Sequence, residues 1–159
     1  MTPDIVIIGS GMGGATLAAG LAGSGARVVI LEKGRQLADR PENRDARAIF
    51  QRGYFRPREQ WYDAEANGAP FNPGNYYYVG GNSKFYGAVL IRYRAEDFGA
   101  MEHDGGVSPA WPISYAEMEP YYSRAEQLYR VRGELGDDDT EPFHSAPYAF
   151  PAIKDERAL

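Results

Sequence analysis

The chain has 159 residues, about the length of one domain, and 43% of them are hydrophobic, enough for a packed core and too many for a disordered segment. Seventeen basic residues against 22 acidic ones leave a formal charge of −5, so no surplus of cations exists to displace the counterions of a nucleic acid. The absence of cysteine, with His103 and His144 as the two histidines, excludes disulfides, thiolate zinc sites and a cysteine nucleophile, and no metal site is expected.

No apolar run approaches the roughly 20 residues that span a bilayer. The N-terminal MTPDIVIIGSG carries no basic region ahead of its glycine loop, so the expected compartment is the cytoplasm.

Residues 4–8 (DIVII) form a short apolar run rich in β-branched side chains, which reads as a strand buried on both faces. Gly9-Ser10-Gly11-Met12-Gly13-Gly14 follows as a complete G-x-G-x-x-G. Residues 15–24 (ATLAAGLAGS) are small and helix-compatible, with Gly25 as the stop, and residues 27–31 (RVVIL) read as a second buried strand with Glu32 at its end. In this arrangement Gly9 allows the tight turn out of the strand and Gly11 lets the backbone approach a pyrophosphate. Gly14, with Ala18 nearby, lets the helix lie close to the sheet. The helix N-terminus offers phosphates unpaired N–H groups and a partial positive charge.

Glu32 lies 18 residues after Gly14, where a carboxylate can accept hydrogen bonds from the adenosine ribose hydroxyls. The same charge repels a 2′-phosphate and disfavours NADP despite Lys33 and Arg35. Ser10, Met12, Gly13 and Lys33 complete the cofactor-binding candidates of this stretch. The motif alone leaves FAD and NAD open, because both present the same ADP half.

Residues 35–58 hold seven arginines interleaved with Asp39, Glu42 and Asp45, and Pro41 can open a helix running through Ile49 and Phe50. A basic flap over cofactor phosphates is one reading; a solvated helix face with internal ion pairs is the favoured one. Residues 61–73 (WYDAEANGAPFNP) carry turn chemistry and read as loop. Residues 76–79 are aromatic and β-prone, a strand ending at Gly80. Gly80 and Gly81 permit positive φ, and Asn82 and Ser83 can cap a short helical turn through Tyr86. Residues 87–92 (GAVLIR) are apolar again.

Ser114-Tyr115-Ala116-Glu117 fits a capping box. Pro120 is expected to divide the stretch into a short turn and a second helix, on which Tyr121, Ala125, Leu128 and Tyr129 share a core-facing stripe. Beyond Gly133 the chain is acidic and then loop-like. His103, in a Glu-His-Asp-Gly-Gly loop, and His144, in a Pro/Ala-rich one, read as structural.

Three stretches together resemble the glucose–methanol–choline (GMC) oxidoreductases, a family of FAD enzymes: DIVIIGSGMGGATLAAGLAGSGARVVILEKG, VGGNSKFYGAVLIRYRAEDF and SPAWPISYAEMEPYYSRAEQLYRVRG. The resemblance implies an α/β, Rossmann-like FAD-binding fold, of which this chain is the N-terminal portion, followed by the start of a mainly helical and loop segment. Residues 1–110 would be part of a discontinuous FAD-binding domain, and residues 111–159 would open the substrate-binding region. It also implies that the first glycine loop holds the ADP half while a second frames the isoalloxazine. On the second loop Gly80, Gly81 and Ser83 match the family's glycine–glycine–x–serine. Tyr86, Gly87 and Ala88 match the small-residue stretch beside the flavin, with Tyr86 departing from an asparagine common there. Some members attach FAD covalently through a histidine at the position of Phe85, so the implied cofactor here is non-covalent FAD.

The implied reaction is oxidation of an alcohol or sugar CH–OH with hydride passing to flavin N5 and a histidine base taking the hydroxyl proton. Neither His103 nor His144 matches that base, so the catalytic residues stay unknown, as do the substrate, the electron acceptor and the oligomeric state. An NAD-dependent dehydrogenase and a non-catalytic dinucleotide-binding module remain as alternatives.

Overall fold

The computed structural model describes residues 2–86, 89–136 and 138–153. The chain divides into two compact units, Met1–Ala88 and Val89–Leu159.

In the first unit, strands β1 (Ile5–Ile8) and β2 (Val28–Leu31) pair in parallel, in register from Ile5↔Val28 to Ile8↔Leu31. Helix α1 (Met12–Gly20) connects them. Asp4 fastens the two strand starts by accepting the backbone N–H of Arg27 at 2.8 Å and its guanidinium at 2.9 and 3.0 Å. The helix starts earlier than expected, inside the glycine motif, and ends at Gly20 rather than Ser24. Gly20, Gly23 and Gly25 weaken its C-terminal part, and the last two adopt φ of +84° and +79°.

The expectation that both strands are buried on both faces fails. Ile7 is buried, but Ile8 is 87% exposed and Leu31 55% exposed. A parallel sheet loses both faces to the interior only when neighbouring strands and helices cover them, and among the described residues this sheet has two strands.

Pro41 opens a 3₁₀ turn, Pro41–Arg44, rather than a long helix: Asp45 is extended, and a separate π-helical turn covers Arg47–Gln51. The favoured reading of the arginine-rich stretch fits its ion pairs, Arg44 with Asp39 at 3.1 Å and Arg52 with Asp45 at 2.6 Å, all well exposed. The stretch read as loop contains a hairpin of β3 (Trp61–Asp63) and β4 (Ala69–Phe71). Its five-residue turn, 64–68, ends on Asn67 and Gly68 at φ of +54° and +74°, the left-handed conformation that asparagine and glycine adopt most readily. The turn chemistry of Asn67-Gly68 and Asn72-Pro73-Gly74 is what made the whole segment read as loop. Residues 76–79 form no strand; Tyr78 makes one parallel bridge to Arg35.

The core of this unit is aromatic. Ile49, Phe55 and Phe85 are buried together, with Leu37, Tyr76 and Tyr78 against them. Phe85 stacks on Phe55 with ring centroids 4.9 Å apart and lies 4.4 Å from Tyr76.

In the second unit, β5 (Met101–His103) and β6 (Gly106–Ser108) form a hairpin, and β7 (Arg132–Gly133) pairs in parallel with β8 (Phe150–Pro151). Helix α2 (Tyr115–Tyr129) carries the expected capping box: Ser114 N–H donates to Glu117 Oε2 at 2.8 Å, and Glu117 N–H returns to Ser114 Oγ at 3.3 Å. Pro120 does not divide the helix, which runs through it.

The expected core stripe is also wrong, because Tyr121 and Leu128 are exposed while Tyr115, Glu119 and Glu126 are buried. The cause is Arg92. Its side chain is 1% exposed and forks onto Glu126, Nε to Oε1 at 2.6 Å and Nη2 to Oε2 at 2.7 Å. Nη1 reaches Tyr115 Oη at 2.9 Å and Glu119 Oε1 at 3.1 Å, and Nη2 reaches Ser123 Oγ at 3.1 Å. Burial alone would lower the guanidinium pKa, but the bonds to Glu126, Tyr115 and Glu119 outweigh it and hold it above its ordinary value.

Candidate dinucleotide-binding site

Each glycine of the first motif has a separate geometric reason. Gly9 leaves β1 at φ +91°, and its N–H extends the pairing with β2 by donating to Leu31 O at 2.7 Å. A Cβ at Gly14 would lie 2.1 Å from Gly9 O and 3.1 Å from Ile7 Cγ2, so the helix–strand approach demands glycine there. Gly11 and Gly13 differ. A Cβ at Gly13 meets nothing within 4 Å, and one at Gly11 meets only Gly80 O at 3.9 Å. Gly11 also has an ordinary φ of −66°. The packing of the chain itself would admit a side chain at both positions, in open space at Gly13 and in ordinary contact with Gly80 O at Gly11.

Gly11 is the N-cap of α1 and supplies no side-chain acceptor, and the first turn contains no acidic residue. The positive end of the helix is therefore not neutralised by a side chain there. An anion with several oxygens fits this cradle.

Glu32 stands immediately after β2 and is anchored at both oxygens. Ser10 donates to Oε2 through its N–H at 2.9 Å and its hydroxyl at 2.5 Å, and Gly34 N–H donates to Oε1 at 2.8 Å. The Ser10 hydroxyl first, then the Gly34 and Ser10 amides, hold the carboxyl below the usual glutamate range. A fixed anion thus lies one residue from the phosphate-facing glycine. Lys33 points its ammonium at Glu59, 2.7 Å away, and over the Tyr77 ring at 3.9 Å.

The second glycine loop meets the first. Gly80 and Gly81 adopt φ of +96° and +56° and open a 3₁₀ turn, Gly81–Lys84. Gly80 N–H donates to Ser10 Oγ at 3.0 Å. Neither Asn82 nor Ser83 is the cap expected from their type, since both lie inside the turn. Asn82 Oδ1 accepts Tyr76 N–H, and the Ser83 hydroxyl donates to Gly80 O. Tyr86 is exposed. Gly87 and Ala88 lie outside the described residues.

Sequence reasoning missed two contributors, the Ser10 hydroxyl as a junction and Gly34. A Cβ at Gly34 would fall 2.1 Å from the Tyr77 carbonyl, so this glycine lets the segment leading to Gly80 lie against the end of β2. The glycine directly after Glu32 and Lys33 was the available signal.

His103 Nε2 lies 3.0 Å from Ser108 Oγ in the β5–β6 hairpin. The His144 side chain is 3% exposed, edge-on to Tyr148 and 3.2 Å from Glu141 Oε1. Among the described residues no group of three or more potential ligands could hold a metal, and no helix is long and apolar enough to cross a membrane.

The parallel strand pair, glycine turn, open helix end and terminal carboxylate define a Rossmann-like dinucleotide-binding unit. In agreement, the model of a family described as an NAD(P)-binding Rossmann-like domain matches residues 7–53. Over 85% of its length the chain is 35% identical to 6'''-hydroxyparomomycin C oxidase of Streptomyces lividus, and over 89% it is 33% identical to paromamine 6'-oxidase of Streptomyces fradiae. It is also 33% identical, over 84%, to 2-methyl-1,2-propanediol dehydrogenase of Mycolicibacterium austroafricanum. These alignments cover 24%, 26% and 25% of the relatives, so the chain spans about a quarter of their length. The crystal structure of pyridoxine 4-oxidase from Mesorbium loti shares the fold, with a TM-score of 0.54 and 22% identity over 89% of this chain and 27% of that one. Over the stretch that it shares with these proteins, the chain is similar to the N-terminal portion of GMC-type oxidoreductases.

Proposed function

We propose that this chain holds non-covalent FAD for an oxidoreductase acting on the CH–OH group of an alcohol or sugar. The observation that carries the reading is the bare backbone at Gly11 and Gly13, where the packing of the chain would admit a side chain, at an uncapped helix end beside the fixed Glu32 carboxylate. Gly9 to Gly14 would hold the pyrophosphate through the α1 amides, and Glu32 would accept an adenosine ribose hydroxyl. Gly80, Gly81 and Ser83, with Tyr86, Gly87 and Ala88 following, would frame the flavin side. Bound FAD would supply the hydride acceptor. The names of the relatives, oxidases and dehydrogenases of aminoglycosides, a diol and a sugar, support the substrate class. Phe85 supports non-covalent binding, because its ring offers no nucleophile and is buried in the aromatic core.

Calorimetric titration of the chain with FAD tests this. Glu32→Ala should weaken binding by about 1–3 kcal/mol, the range for losing a charged hydrogen-bond partner; unchanged affinity removes Glu32 from the site.

A second reading, an NAD-dependent dehydrogenase, is favoured by the description of the matching family model. A purified protein with flavin absorbance supports FAD, whereas a colourless protein that binds NAD supports the alternative.

A further inference from the structure

The Ser10 hydroxyl stands between two segments 70 residues apart in sequence. It has one proton to donate and lone pairs with which to accept. The proton goes to Glu32 Oε2, an ionised acceptor and therefore the stronger claim on it. That choice turns a lone pair toward Gly80 N–H, which donates at 3.0 Å. Gly80 O accepts in turn from the Ser83 hydroxyl, so serine hydroxyls hold both polar backbone groups of a left-handed glycine. Gly81 N–H closes on Tyr78 O at 2.7 Å, and a Cβ on Gly81 would lie 3.9 Å from Gly11 Cα. The second loop thus rests on the backbone of the first, at the open end of α1.

We propose that Ser10 is a positioning residue: its hydroxyl, oriented by the Glu32 carboxylate, latches the Gly80–Gly81 loop to the first glycine loop. The ribose-end carboxylate and the second loop then respond to a dinucleotide as one unit. Ser10 Oγ–H, Ser10 N–H and Gly34 N–H all donate to Glu32, which fixes in place the carboxylate that a ligand hydroxyl would meet. The role in ligand binding rests on the FAD reading above; the latch itself does not.

The test uses the isotope-labelled full chain without ligand, followed by titrations. Ser10→Ala should speed amide exchange at Gly80 by about tenfold, the scale of one neutral hydrogen bond, while exchange at Ile7 in β1 stays unchanged. Ser10→Thr, which keeps a hydroxyl, should restore Gly80 protection. If the alanine variant does not fold, the isosteric pair Ser10→Thr and Ser10→Val makes the same comparison. Ser10→Ala should also weaken FAD by about tenfold but ADP by several-fold less, since ADP lacks the half that faces the second loop.

Unchanged Gly80 exchange overturns the latch. Faster exchange with equal losses for FAD and ADP overturns its coupling to binding. If the wild-type chain binds neither nucleotide, the FAD reading falls and the Gly80 exchange alone upholds or overturns the latch.

Discussion

Two adjacent glycines in the first turn of α1 should respond oppositely to the same substitution. At Gly13 an added Cβ meets nothing within 4 Å, so Gly13→Ala gains helix propensity, up to about 1 kcal/mol, with no collision. At Gly14 the same Cβ would lie 2.1 Å from Gly9 O, against an ordinary separation of about 3.5 Å. The atom met is backbone, already fixed by the Gly9 N–H bond to Leu31 O, and it cannot rotate away. The cost belongs near the upper end of overpacking penalties, about 3 kcal/mol. Subtracting the propensity gain leaves Gly14→Ala about 2 kcal/mol less stable than the native chain, and about 3 kcal/mol below Gly13→Ala. Urea denaturation followed by Trp61 fluorescence in a Trp111→Phe background reads the Met1–Ala88 unit, and a constant slope shows that stability alone has changed. A Gly14→Ala variant within about 0.5 kcal/mol of native, the range of a neutral surface change, would refute the assignment of Gly14 to helix–strand approach.

Arg92→Met should destabilise the Val89–Leu159 unit by about 3–5 kcal/mol, because it strands Glu119 and Glu126 buried without their cation; the loss of α2 helicity in far-ultraviolet circular dichroism on mild denaturation reads it. Glu119 is held down to about 2 from the ordinary 4.5, by the Ser145 N–H first and by Ser145 Oγ, Arg92 and Ser123 after it. Its folded pKa lies below its unfolded one, so its contribution is complete above pH 4.5 and fades as pH falls toward 2. Acid titration of the native chain should show this limb, and Glu119→Gln should flatten it. Phe85→Ala should cost about 3–5 kcal/mol through the cavity left beside Phe55 and Tyr76, measured by denaturation of the same unit. Acid precipitation of the flavin-loaded protein should leave the yellow colour in the supernatant; flavin mass on the denatured polypeptide would contradict the reading of Phe85.

Local chemistry determined much of this protein from the sequence alone. The β-branched runs, the spaced glycines and the carboxylate after β2 are a short-range pattern, and the structure returns the strand–turn–helix–strand unit that it describes. The capping box at Ser114 was legible for the same reason, since donor and acceptor lie three residues apart. Tertiary structure decided the rest. The helical spacing of Tyr121, Ala125, Leu128 and Tyr129 pointed to a core stripe there, but Arg92, remote in sequence, pairs with Glu119 and Glu126 and puts a different face of α2 inside. The exposed faces of β1 and β2 follow from a sheet of two strands, whereas an apolar run alone implies a covered one. Most consequential for the site, the two glycine loops meet through the Ser10 hydroxyl and the bare edge of Gly34. A one-proton hydroxyl and a missing Cβ have no periodicity to read; their meaning comes from which backbone arrives beside them.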